Sequence, residues 1–166
     1  MAWGSFNKYQ LQLVRERVLG AEVYDLGAGD CRLARYLKRL GAARVVAVDK
    51  EPLPRRVAGV ELEQGYFHEW VTRAPARLPV VFLSWPANHP MGGLVELVER
   101  ADAVLYLGKN SNGTACGWPG LFRSLLQRPV LNYSPDREND LIVFGSGSVT
   151  RGPTPHEQAA LQAWSP

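Results

Sequence analysis

The 166-residue sequence predicts an α/β fold: a mostly parallel seven-stranded sheet, helices on both faces, and an antiparallel hairpin at its C-terminal end. Three observations predict it. Short apolar runs alternate with stretches of helical period through most of the chain. The first apolar run, "EVYDLG", breaks at glycines and resumes as an amphipathic helix. The last two runs are joined only by "PDREN", which is long enough for a hairpin and too short for a crossover.

In chain order, an N-terminal helix is expected over residues 5–19. Phe6, Tyr9 and Leu13, preceded by Trp3, lie along one side of it, with Ser5 or Asn7 as its cap, packed over the sheet or over a ligand mouth. The core is expected over 21–147. "EVYDLG" is its first strand, followed by a helix whose Leu33, Ala34, Tyr36, Leu37 and Leu40 repeat at helical spacing. "RVVAVD" is a buried second strand, and "VELEQG" alternates apolar and charged residues as a strand near an edge does. "PVVFLSWP" is a strongly apolar run closed by proline. "GGLVELVERA" reads as a helix with Leu94, Val95, Leu97 and Val98 on its apolar side, and "DAVLYLG" as the next strand. "WPGLFRSLLQR" is a helix that tolerates Pro119 in its first turn. "PVLNYS" and "DLIVFGSG" form the hairpin. Residues 148–166 are a linker and a short helix, its start marked by the capping box Thr154-Pro155-His156-Glu157. The whole chain thus reads as one domain.

Hydrophobic residues make up 46% and charged residues 21%, which excludes disordered and fibrous classes. A formal charge of +3 favours acidic partners only slightly. Cys31 and Cys116 are the only cysteines, and their separation supports neither a zinc site nor a disulfide framework. With no secretory leader and no membrane-spanning window, a cytoplasmic location without membrane attachment is expected, and the Asn112-Gly113-Thr114 glycosylation pattern carries no weight.

Gly27 and Gly29 let the backbone approach a ligand closely at the first strand's end. The dinucleotide pattern would place a third glycine where Arg32 stands, and Asp25 would set a negative charge beside a pyrophosphate. There is also no Gly-Lys-Ser or Gly-Lys-Thr phosphate loop. A cationic ligand fits this turn better.

"YDLGAGDC" resembles the first motif of class I S-adenosylmethionine-dependent methyltransferases, and "VVAVDKEP" resembles their second. The resemblance implies a Rossmann-like core with S-adenosyl-L-methionine as cofactor. It places Asp25 near the methionine amino group, Gly27, Ala28 and Gly29 beneath the cofactor, and Asp49, with Lys50 beside it, at the ribose. A carboxylate accepts hydrogen bonds from an ammonium group or a vicinal diol, in agreement with those roles. Where the family often has an acid at the adenine, this chain has Tyr66. Tyr66 either flanks the adenine or joins Phe67 in the core.

Ser84-Trp85-Pro86 is similar to the motif with which relatives of this family methylate exocyclic amines, although one proline is missing. In the functional reading Ser84 accepts a hydrogen bond from the target amine and Trp85 stacks on its ring, with Pro86 completing the motif. In the bland reading Pro86 ends a strand and Trp85 is buried. His89 and Asn88 stand in the same loop, while His68 and His156 have less support as proton carriers. Lys109, Asn110 and Trp118 are candidates for a second acceptor wall, and Cys116 lacks a base to make it a nucleophile.

The leading expectation is methyl transfer to a nitrogen acceptor, a small-molecule amine or a single-stranded nucleic acid. The arginines of "CRLARYLKRL" and "EPLPRR" either touch phosphates or form a solvated face. The alternatives are a non-catalytic S-adenosylmethionine-binding partner protein, an S-adenosylmethionine-cleaving enzyme, and the disfavoured dinucleotide oxidoreductase. The sequence leaves oligomeric state open.

Overall fold

The computed structural model describes residues 6–108, 116–137 and 139–147, with Pro155 and Gln158 beyond them. Seven strands form one sheet in the order β3-β2-β1-β4-β5-β7-β6. They are β1 (Glu22–Leu26), β2 (Arg44–Asp49), β3 (Glu61–Gln64), β4 (Leu78–Ser84), β5 (Ala101–Gly108), β6 (Val130–Ser134) and β7 (Asp140–Phe144). The first five are parallel, and β7 runs antiparallel to both β5 and β6, as the expected hairpin requires. Strand order reverses between β1 and β4, which opens a crevice at their carboxyl ends.

Both faces of the sheet are covered. Helices α1 (Lys8–Val18) and α2 (Arg32–Arg39) pack one face through Leu13, Val14, Val18, Ala34 and Leu37. Helices α3 (Phe67–Trp70), α4 (Leu94–Glu99) and α5 (Pro119–Leu125) pack the other through Phe67, Trp70, Leu94, Leu97 and Leu121. Strands buried on both sides read as continuous apolar runs, which is why β2, β4 and β7 stand out in the sequence.

Two expectations about the outer segments need correction. Helix α1 begins at Lys8, capped by the Asn7 side chain (Gln10 N to Asn7 Oδ1, 2.8 Å), and Tyr9 is 55% exposed rather than inward. Its inner face includes the buried Gln10, whose amide nitrogen donates to the carbonyls of Ser134 at 3.0 Å and Asn139 at 2.9 Å. A buried polar side chain satisfied by two hairpin carbonyls defeats a reading based on apolar spacing alone. The one-turn α3, "FHEW", is too short to show a helical period and was not expected as an element. Trp3, Ser5, Lys109, Asn110 and His156 lie outside the described residues. So does the 148–166 segment except Pro155 and Gln158, both of which are helical.

Candidate active site

The glycine turn follows directly from the end of β1. Gly27 (φ +87°) and Gly29 (φ +52°) hold left-handed conformations that glycine adopts without strain. A Cβ built on either would meet no protein atom within 4 Å, so the turn faces open space rather than packed chain. Backbone amides of Gly27 and Ala28 donate to the Val48 carbonyl at 2.8 and 3.2 Å, fixing the turn against the end of β2.

Asp49, at that end, holds the two loops together. Its Oδ2 accepts from Gly29 N at 2.7 Å, and its Oδ1 accepts from Glu51 N at 2.9 Å. Each oxygen keeps a lone pair for a further donor. Cys31 caps α2 in a left-handed conformation (φ +59°) without a side-chain cap bond. Burial, with the charges of Asp25, Asp30 and Asp49 adding to it, pushes its thiol up to about 11, so it is not a nucleophile at neutral pH.

Asp25 is the unusual group. It is 1% exposed, and neither carboxylate oxygen has a hydrogen-bond partner. Burial first, and then the Asp49 charge, pushes its carboxyl up to about 7. The Ala34 amide, outside hydrogen-bonding geometry, opposes them. A buried carboxyl with no donor is costly unless a ligand completes it.

Two adjoining concavities occupy the crevice. The smaller, about 190 Å³, is lined by Asp25, Gly27, Ala28, Gly29, Asp30, Leu33 and Ser84. The larger, about 340 Å³, runs over Asp49, Lys50, Tyr66, Trp85 and Pro86 and again touches Gly27 and Ser84. All ten residues singled out from the motifs therefore line one crevice, and Gly27 with Ser84 marks where its halves meet. Tyr66 is 54% exposed on the wall, whereas Phe67 beside it is in the core, which separates the two readings of that pair. Trp85 is half-buried at φ +51°, its amide donating to Leu107 O at 2.7 Å, while Pro86 is buried. Pro86 thus ends the strand and lines the cleft at once.

His68, His89 and Met91 also line the larger half. His68 sits on α3 with its ring 5.3 Å from that of Tyr66, although its sequence context gave little reason to favour it. Glu69, three residues after the cap position Tyr66, is the sequence signal that could have found α3, and in the structure it accepts from the Tyr66 amide at 3.3 Å. Trp118 is corrected: it is 7% exposed in the α5 core, not on an acceptor wall. Lys38, on the same helix as Arg35 and Arg39, uses its ammonium on the Ala42 and Ala43 carbonyls at 3.0 and 2.7 Å.

The fold recurs in solved structures. A candidate RNA methyltransferase from Pyrococcus horikoshii superposes with TM-score 0.55 at 17% identity, covering 85% of this chain and 81% of its own. A candidate methyltransferase solved with S-adenosylhomocysteine superposes with TM-score 0.57 at 9% identity, covering 81% of this chain and 47% of its own. This chain has the class I S-adenosylmethionine-dependent methyltransferase fold. Among curated proteins, the ribosomal protein L11 methyltransferase of Pelotomaculum thermopropionicum is 53% identical over 87 residues. Those residues are 52% of this chain but only 23% of that protein. No family model matches the sequence. Within the methyltransferase fold seen here, no helix of the described residues is long and apolar enough to cross a membrane.

Proposed function

We infer that the protein is an S-adenosylmethionine-dependent methyltransferase acting on a nitrogen acceptor. The observation that carries this reading is the Asp25 carboxyl, buried and without a partner at the floor of the smaller concavity. Such a group calls for a cationic ligand with N–H donors, and an α-ammonium beside a sulfonium meets that need. The open glycine turn fits the same ligand, because no protein atom fills the space above it. In this reading Asp25 and the Gly27–Gly29 turn hold the amino-acid part. Asp49 uses its free lone pairs on the ribose hydroxyls, and Lys50 and Tyr66 flank the nucleoside in the larger half. When bound, the cofactor supplies a methyl group on a sulfonium for direct displacement.

The chain's own part is alignment. Ser84, where the halves meet, accepts a hydrogen bond from the acceptor amine, and Trp85 offers a flat wall for its ring. The related L11 enzyme and the RNA-enzyme neighbour make a macromolecular amine a natural acceptor, with a cytoplasmic setting as part of the same reading.

Calorimetric titration with S-adenosylmethionine, S-adenosylhomocysteine and NADH tests it, with Asp49→Ala as control. Micromolar binding of the first two is expected, weakened in the variant by about 1.5–3 kcal/mol for a charge-assisted hydrogen bond. Binding of NADH alone would refute it. Cofactor binding without transfer to any acceptor would favour a partner protein, and turnover without acceptor would favour a cleaving enzyme.

A further inference from the structure

The charges on the two helical layers are organised differently. On the α3–α4–α5 side, arginines are tied to carboxylates: Arg73 to Glu63 at 2.6 Å, Arg77 to Asp102 at 2.7 Å and Arg100 to Glu96 at 2.6 Å. Arg128, also on that side, is buried and spends its guanidinium on the Ala101, Gly145 and Val98 carbonyls. Exposed Arg123 is the exception there, with no ion pair among the described residues.

On the α1–α2 side the pattern reverses. Arg35 and Arg39 of α2 are exposed, lie on one stripe with Arg32, and make no ion pair among the described residues. Arg55 and Arg56, in the loop after β2, are likewise exposed and unpaired there, as are Lys8 and Arg15 of α1. These cations belong to one continuous layer. The Phe6 ring stacks on Tyr36 of α2 at 6.0 Å, joining the start of α1 to α2. A Cβ on Gly59 would lie 3.1 Å from the Lys38 side chain, so the loop that carries Arg55 and Arg56 abuts α2. Of the acids on this layer, Asp30 pairs with Arg32 at 2.9 Å and Glu51 with Lys50 at 3.8 Å, while Glu16 accepts from the neutral Gln12 amide at 3.0 Å. Arg39 lies over the Tyr36 ring at 5.8 Å, with its charge still free.

We propose that the α1–α2 face, centred on Arg35, Arg39, Arg55 and Arg56, binds the phosphodiester backbone of a single-stranded RNA. Unpaired arginines gathered on one layer leave self-repulsion that polyanion binding relieves, and the guanidinium fork suits phosphate oxygens. Tyr9, 55% exposed on α1, adds a ring on which a base can stack. A lipid surface is less suited, because among the described residues the exposed large apolar side chains on this layer are Tyr9 and Leu19. Helix α2 starts at the glycine turn, so RNA held on this face passes beside the crevice. The proposal narrows the acceptor class of the methyltransferase reading and rests on it for the chemistry, but not for the binding.

The test is fluorescence anisotropy of the full chain with a labelled mixed-sequence single-stranded oligoribonucleotide, without cofactor, between about 50 and about 200 mM salt. The expected result is salt-dependent binding. In Arg35→Ala/Arg39→Ala/Arg55→Ala/Arg56→Ala it should weaken about 10- to 100-fold at low salt, with a log–log salt slope shallower by about 2–3. Arg77→Ala/Arg123→Ala on the other face should change neither. Absence of RNA binding by the parent protein overturns the proposal, as does an equal loss in both variants or unchanged binding in the quadruple variant. Uptake by phosphatidylserine vesicles in place of RNA also overturns it. RNA binding that holds while calorimetry detects no cofactor would refute the methyltransferase reading and leave this face assigned.

Discussion

Replacing Asp25 with Asn isolates the energetic peculiarity of the site. In the ligand-free protein the native carboxyl titrates near 7, against 3.8 for the unperturbed group, because burial and the neighbouring Asp49 both disfavour its charge. The native state therefore holds this proton over a pH range in which the unfolded chain has released it. Stability from this group is fully present below the unfolded value and is lost as pH rises through about 7. At ~1.4 kcal/mol per tenfold change in proton activity, the loss between pH 5 and pH 8 is about 2 to 3 kcal/mol. Asn has nearly the same shape as the protonated acid and does not titrate, so Asp25→Asn should escape that loss. Urea unfolding of both proteins at intervals from pH 5 to pH 8 should show the variant overtaking the parent by about 2 to 3 kcal/mol at the alkaline end. Saturating S-adenosylmethionine at pH 8 should then stabilise the parent and leave the variant unmoved. Parallel stability curves would refute the reasoning, since they would mean that Asp25 is ionised at no cost and has no need of a cation.

Ser84→Ala should keep cofactor affinity within about twofold and slow transfer about tenfold, the scale of one hydrogen bond made to the acceptor. Calorimetry paired with a methyl-transfer assay checks this, and an unchanged rate would remove Ser84 from the acceptor side. Gly93→Ala should destabilise the fold by about 2 kcal/mol or more. Its Cβ would sit 2.6 Å from the Phe67 carbonyl, and its φ is +84°. A loss below about 0.5 kcal/mol in urea unfolding would show that α3 shifts to accommodate it.

The local sequence determined the strands, the glycine turn and the hairpin. Apolar period and backbone preference are short-range properties, carried by stretches such as "RVVAVD" and "LGAGD". The resemblance of "VVAVDKEP" to the family's second motif picked out Asp49, which stands at the end of β2 and lines the crevice. Tertiary structure alone decided which polar groups lost water and which found partners. Gln10 and Asp25 are both buried polar residues, yet Gln10 meets two hairpin carbonyls more than 120 residues away while Asp25 meets none. His68 reached the cleft through a one-turn helix without a period, and Trp118 left the acceptor wall for the core. The Arg73–Glu63 and Arg77–Asp102 pairs likewise depend on which carboxylates the fold brings alongside, whereas Arg100–Glu96 is a local i,i+4 pair. Desolvation and pairing depend on neighbours distant in the chain, and no local pattern records them.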